Sequence, residues 1–173
     1  YLGKHFDIHG GGMDLKFPHH EDEIAHSCSS LGCNPAKYWM HANMLNVNGQ
    51  KMSKSLVNFF LPMEIIEGET ALFKKAYSAD VIRFFMMQAH YRSTLDFTED
   101  ALNAAEKGYE RLMESLSLLE NISCGEVSTL ETKKLVDSFY SAMNDDFNAP
   151  ILIANLFEVV KQINLLTEGK ITC

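Results

Sequence analysis

Ten residues near the start constrain the fold most. His5-Phe6-Asp7-Ile8-His9 alternates in polarity and runs into Gly10-Gly11-Gly12, with Met13 and Asp14 behind. Alternation of that kind is the pattern of a short strand, and the glycine run predicts a turn at its end. Lys16-Phe17-Pro18 then leads into His19-His20-Glu21-Asp22-Glu23. A proline near a first turn, with acids just after it, predicts a helix start. That helix should end near Gly32. Residues 38–47 (YWMHANMLNV) are apolar and read as a buried strand with its approach. Glycines at the carboxyl end of a strand let a ligand approach the backbone, and open α/β sheets bind nucleotides at such ends. Asp14 is then placed to accept hydrogen bonds from sugar hydroxyls. A plain tight turn explains the same residues. The chain contains neither G-x-G-x-x-G nor G-x-x-x-x-G-K-[ST], so neither a dinucleotide fingerprint nor a P-loop is supported.

Beyond residue 47 the chain reads mainly as helix. Asn48-Gly49 is a turn signal, and Pro62 to Lys75 reads as a short helix and a loop. Ser78 is a candidate N-cap for a helix over 79–90 with a wide apolar face. Thr98 is another, for a long helix to about Asn121, where Leu102, Ala105, Tyr109, Leu112, Leu116 and Leu119 recur at steps of three or four. Residues 122–127 form the expected linker. Ser128-Thr129-Leu130-Glu131 has capping-box spacing and predicts a third helix to about Met143. Ala149-Pro150 predicts a fourth to about Thr167, closed by Gly169. The expected organisation is α/β, then all-α: 1–47, 48–97 and 98–173.

Charge sharpens that division. Residues 98–173 hold six Lys/Arg against thirteen Asp/Glu, whereas 1–60 hold five of each. Six of the seven histidines fall within the first 41 residues. The chemistry is concentrated at the start, and an acidic tail argues against broad nucleic-acid binding through that part. Local contacts from Arg83, Arg92 or lysines remain open. No apolar run is expected to reach the roughly 20 residues that cross a bilayer, and no basic-then-apolar leader is present, so no membrane partner is expected. Cys28, Cys33, Cys124 and Cys173 form no disulfide framework and no four-thiolate zinc pattern, which points to the reducing cytoplasm. The chain opens at Tyr1 without a methionine, inside what reads as a structural element, and is expected to belong to something longer.

Two clusters carry candidate chemistry. In His19-His20-x-x-Glu23, His19 and Glu23 stand one helical turn apart and share a face, so an imidazole and a carboxylate can reach one metal ion. A surface His–Glu pair fits the same spacing. Cys28 falls on the opposite face and His26 two turns away, roughly 10 Å, so further ligands have to come from elsewhere. The second cluster is Lys51-Met52-Ser53-Lys54-Ser55, just after the Asn-Gly turn. Alone it reads as a solvated basic loop. Two ammonium groups and two hydroxyls on a mobile loop also suit a polyphosphate. Trp39 and His41 are expected in the core.

Taken in order, F-D-I-H-G-G-G-x-D-L-x-F-P-H-H-E-x-E, then Y-W-M-H, then K-M-S-K-S-L-x-N-F-F, resemble the cysteinyl-tRNA synthetase family of class I aminoacyl-tRNA synthetases. A-D-V-I-R-F-F-M-M-Q-A-H-Y-R-S and M-N-D-D-F-N-A-P resemble the same family's connecting region and helical bundle. The resemblance covers essentially the whole chain. It implies the C-terminal part of a Rossmann-type catalytic domain, a connecting region bearing the lysine loop, and the start of a tRNA-binding helical bundle. It implies an ATP-dependent ligase that makes cysteinyl-adenylate, releases pyrophosphate and passes cysteine to tRNA(Cys), with Mg2+ accompanying ATP. By the same resemblance His19 and Glu23 are two of four ligands of a Zn2+ ion that recognises the cysteine thiol. Gly11, Gly12 and Asp14 belong to the adenosine site, His9 to the pocket beside it. Lys51 and Lys54, with Ser53, face the departing pyrophosphate. The family's H-I-G-H motif and its two cysteine ligands have no match here, and both are expected before Tyr1. Cys28 and Cys33 do not match the ligand positions, and this chain alone is expected to be inactive. Two alternatives stand beside this reading. One is a related ATP-dependent ligase joining cysteine to an amino sugar; the other is an inactive folding or assembly module. A truncated Rossmann sheet would also expose an edge, which opens the way to self-association.

Overall fold

The computed structural model describes residues 3–122, 130–169 and 171. It divides into two compact units, one of residues 1–52 and 91–96, the other of residues 53–90 and 97–173.

In the first unit, β1 (Phe6–Gly12) pairs in parallel with β2 (Ala36–Ala42), and α1 (Glu21–Leu31) lies between them in sequence. The glycines do not form the expected turn. They continue β1, and Gly10, Gly11 and Gly12 pair with Met40, His41 and Ala42. Two short helical turns, Met13–Leu15 and Lys16–His20, intervene before α1, which starts at Glu21 rather than at Pro18. The Phe17–Pro18 bond is cis. Gly32 ends α1 in the left-handed conformation expected of a helix C-cap (φ 72°). Residues 38–47 are also not one strand. After β2 the chain starts a second sheet with β3 (Leu45–Val47), which pairs antiparallel with β4 (Gln50–Lys51). The Asn48-Gly49 turn joins them, with φ 51° and 78°, the paired positive φ of a two-residue hairpin. The Asp96 carboxylate accepts from Gly49 N–H at 3.0 Å. β5 (Leu95–Phe97) completes the order β4-β3-β5.

The second unit is helical. It holds α2 (Pro62–Glu67), α3 (Ala79–Met87), α4 (Glu99–Leu119), α5 (Thr132–Asn144) and α6 (Ala149–Thr167). The expected caps are present: Ser78 Oγ accepts from Val81 N–H and Thr98 Oγ1 from Ala101 N–H, at 3.3 and 3.2 Å. Asn148 Oδ1 caps α6 by accepting from Ile151 N–H at 3.4 Å. The capping box at 128–131 lies largely outside the described residues, as does most of the 122–127 linker. The core is aromatic. Phe60 meets Phe73 and Phe97 edge-on, at 5.6 and 5.2 Å between ring centroids, and Phe97 meets Phe85 at 4.9 Å. Edge-to-face pairs of this kind add to what their buried area contributes. By length and composition α6 is apolar enough to cross a membrane (19 residues, mean hydropathy 1.3), contrary to the expectation that no run is. Here it buries Ile153, Val160 and Ile163 within the bundle.

Candidate functional site

The site lies on one face of the two-stranded sheet. Side chains alternate along a strand, so His9 and Gly11 share a face of β1, and Trp39 and His41 share a face of β2. The parallel register puts His9 beside Trp39 and Gly11 beside His41. The His9 and Trp39 rings stack at 4.5 Å and 15°. The segment between β1 and α1 then lays His20 over Gly11. A Cβ on Gly11 would stand 2.7 Å from His20 Cε1, so only glycine leaves room for the ring. His20 is 3 % exposed. Its Nδ1 shares a 2.8 Å hydrogen bond with His41 Nε2, and its ring and that of His9 stand edge-to-face, 4.6 Å between centroids and 61° between planes. Gly12 makes room in the same way: a Cβ there would meet the Asp14 carboxylate at 2.3 Å. The space beside both glycines is thus filled by this chain's own side chains.

Glu23 reaches back from the first turn of α1 between two histidines. Its Oε1 is 3.0 Å from His19 Nε2, and its Oε2 is 3.4 Å from His9 Nε2. The expected His19–Glu23 pair is therefore formed, and His9 joins it. A donor atom from each of His9, His20 and Glu23 falls within 4.8 Å of the others. His9 Nδ1 is buried without a hydrogen-bond partner, the sole such side-chain atom among the described residues. Two imidazoles and a carboxylate are a donor set that fits a borderline cation such as zinc, and the converging atoms come from His9, His20 and Glu23, a group that does not include His19.

Trp39 and His41 are half-buried rather than core. With Met13, Lys16 and Arg92 they line a cleft of about 250 Å³. Burial, then the charges of neighbouring basic side chains including Lys16 and Arg92, hold the His41 imidazole below its usual pKa. Helical spacing did not single out His20 or His41 as participants. Strand parity was the available signal, since two parallel strands carrying His9-x-Gly11 and Trp39-x-His41 present all four positions together.

The lysine loop is split between the units. Lys51 ends β4 in the first unit, exposed. Ser53 and Lys54 open the second. Lys51 is therefore a strand residue, and the turn that follows covers residues 54–57, taking in Lys54 and Ser55.

Residues 1–107 match the family described as tRNA synthetases class I (C) catalytic domain, and residues 138–172 match the DALR domain. The chain belongs to the class I cysteinyl-tRNA synthetase family. Among its relatives, the cysteine–tRNA ligase of Parabacteroides distasonis is 53% identical over 99% of this chain and 35% of its own length. That of Phocaeicola vulgatus is 54% identical over the same shares, and that of Chlorobium chlorochromatii 47% identical over 98% and 34%. The chain thus spans about a third of the length of these relatives. Among solved structures, the LeuRS–tRNA–LeuAMS ternary complex of Agrobacterium radiobacter K84 (agnB2) aligns with a TM-score of 0.68 over 96% of this chain and 23% of that one. At 18% identity that likeness supports the class I fold.

Proposed function

We propose that this chain supplies the thiol-reading and polyphosphate-facing residues of a cysteine–tRNA ligase, working within a protein of its relatives' length. The observation that carries the reading is the Glu23 carboxylate bracketed by His9 and His19. His19 and Glu23 hold Zn2+, with two further ligands from outside residues 1–173. Bound there, the ion supplies a soft acceptor for the substrate thiolate, which a serine hydroxyl matches poorly. His9, stacked on Trp39, fixes the Glu23 carboxylate. Asp14 faces the adenosine, and Gly11 and Gly12 belong to that site by making room for His20 and Asp14 beside the strand. Lys51, Ser53 and Lys54 stabilise charge on the β- and γ-phosphates of ATP, accompanied by Mg2+, as the cysteine carboxylate attacks the α-phosphorus and pyrophosphate leaves. The product, cysteinyl-adenylate, then passes cysteine to tRNA(Cys). The residues at 1–47, 48–97 and 98–173 serve as catalytic part, connecting region and tRNA-binding bundle, in the cytoplasm. The relatives' names support this reading over an amino-sugar ligase.

The test is made in the full-length protein. His19→Ala should cut zinc content well below about one per chain and raise activation of serine relative to cysteine. Unchanged zinc and unchanged serine rejection would remove His19 from the site. Lys54→Ala should slow adenylate formation while leaving cysteine binding nearly intact. Equal loss of both would remove its polyphosphate role.

A further inference from the structure

Residues 53–58 close into a turn that works against its own sequence. Ser53 N–H donates to Asn58 Oδ1 at 2.8 Å, Leu56 N–H to Ser53 Oγ at 3.3 Å, and Val57 N–H to the Lys54 carbonyl at 3.2 Å. For Asn58 to come back beneath Ser53 the chain must reverse after Lys54. Val57 completes that reversal at φ 55°. Left-handed backbone is unfavourable for L-residues, and a β-branched residue there is a genuine outlier. The Val57 side chain is 85 % exposed, so packing offsets little of the cost. Such strain persists only where the surroundings over-determine it. Here Asn58 does so: it is 8 % exposed, and opening the turn would take Ser53 N–H from its buried oxygen. The turn also sets where the functional groups stand. Lys54 Nζ lies 5.3 Å from the Phe59 ring centroid, and the Ser53 and Ser55 hydroxyls are 3.2 Å apart.

We propose that Asn58 is a positioning residue for Lys54. It holds the turn closed against a strained Val57, and this opposed pair sets the fraction of molecules whose lysine loop is ready for a polyphosphate. Apparent ATP affinity scales with that fraction. The proposal rests on the polyphosphate role of Lys54 for its kinetic readout, but not for its exchange readout.

Two readouts in the full-length protein test it: hydrogen–deuterium exchange of peptides spanning 53–58, and cysteine-dependent ATP–pyrophosphate exchange. Val57→Gly removes the left-handed penalty and should raise protection about three- to tenfold. Val57→Ile keeps the β-branch and should leave protection unchanged. Asn58→Ala should lower protection about tenfold and raise the KM for ATP by a similar factor, with a smaller change in kcat. Adding Val57→Gly to Asn58→Ala should restore most of both losses, whereas adding Val57→Ile should restore neither. A general packing role for Asn58 would not be relieved by glycine at its neighbour. The proposal is overturned if Val57→Gly leaves protection unchanged, or if isoleucine rescues as well as glycine. It is also overturned if Asn58→Ala opens the turn without moving the ATP KM while Lys54→Ala moves it. If the KM ignores both Asn58→Ala and Lys54→Ala while protection responds as expected, the polyphosphate role of Lys54 has failed and the positioning role falls with it. Should Asn58→Ala not fold, the Val57→Gly and Val57→Ile pair still decides by exchange.

Discussion

The two units are held together by opposite means. The second buries Phe60, Phe73, Tyr77, Phe85, Phe97 and Leu102, with Ile153, Val160 and Ile163 from α6, all at 6 % exposure or less. Among the described residues of the first, the buried apolar residues are Pro35, Ala36 and Val47, all small or medium-sized, and the other deeply buried group is a histidine, His20. Its outward sheet face leaves Ile8 and Tyr38 55 % and 57 % exposed, although parallel sheets are ordinarily covered on both faces. One unit is therefore stabilised by apolar burial at about 25 cal/mol per Å². The other relies on rings and hydrogen bonds grouped around a candidate metal site. Within these residues, the unit that holds the candidate chemistry is the one that buries less apolar surface of its own.

The largest test of that contrast is Leu102→Ala, at a position with 0 % exposure in α4. It should cost about 2–5 kcal/mol, read as lost exchange protection across 79–119 of the full-length protein. Zinc content should stay unchanged. If zinc fell in step with protection, the two units would share one stability and the contrast would fail.

Gly11→Ala should cost less, about 1–3 kcal/mol by overpacking, and should act on the other unit. The added methyl would collide with His20, which is buried and tied to His41 and so has little room to yield. Protection should fall in β1 and β2 and zinc affinity should drop, with 79–119 untouched. Wild-type zinc affinity with an undisturbed β1 would show that the glycine is not needed for the histidine cluster.

These two residues also show what was legible before any fold was known. Leu102 belongs to a run at steps of three and four, a local pattern, and α4 appears within two residues of its expected end. The same holds for the Ser78 and Thr98 caps, which bond to groups three residues away. The glycines depart from the expected turn for a reason that, at Gly11, is non-local: its neighbour in space is His20. A triple glycine is ordinarily a turn, but here Gly11 and Gly12 remain in a strand so that His20 and Asp14 can occupy the space a Cβ would take. The contact between His19 and Glu23 was legible from their i,i+4 spacing. His9 joining them was not, because it requires the strand to be folded against the helix. Val57 was invisible for a similar reason: nothing in its neighbours announces a left-handed valine.

The smallest expected effect separates the units by pH. Burial, then the charges of neighbouring basic side chains including Lys16 and Arg92, lower the His41 pKa from 6.5 in the folded chain. A folded-state value below the unfolded one means that the unfolded chain binds the proton first as pH falls. The contribution of neutral His41 is therefore fully present above about pH 6.5 and is lost progressively as pH drops through the lowered folded value. In metal-free full-length protein, protection of β2, corrected for intrinsic exchange, should decline from pH 7 toward pH 5. That part of the decline should flatten in His41→Gln, which keeps a polar partner for His20 and cannot titrate. Protection of α4, whose buried residues are Leu102, Ala105 and Ser115, should not follow the same curve. An identical pH slope in wild type and His41→Gln would assign the acid sensitivity of the first unit to some other group, and an equal slope in α4 would erase the distinction between the units.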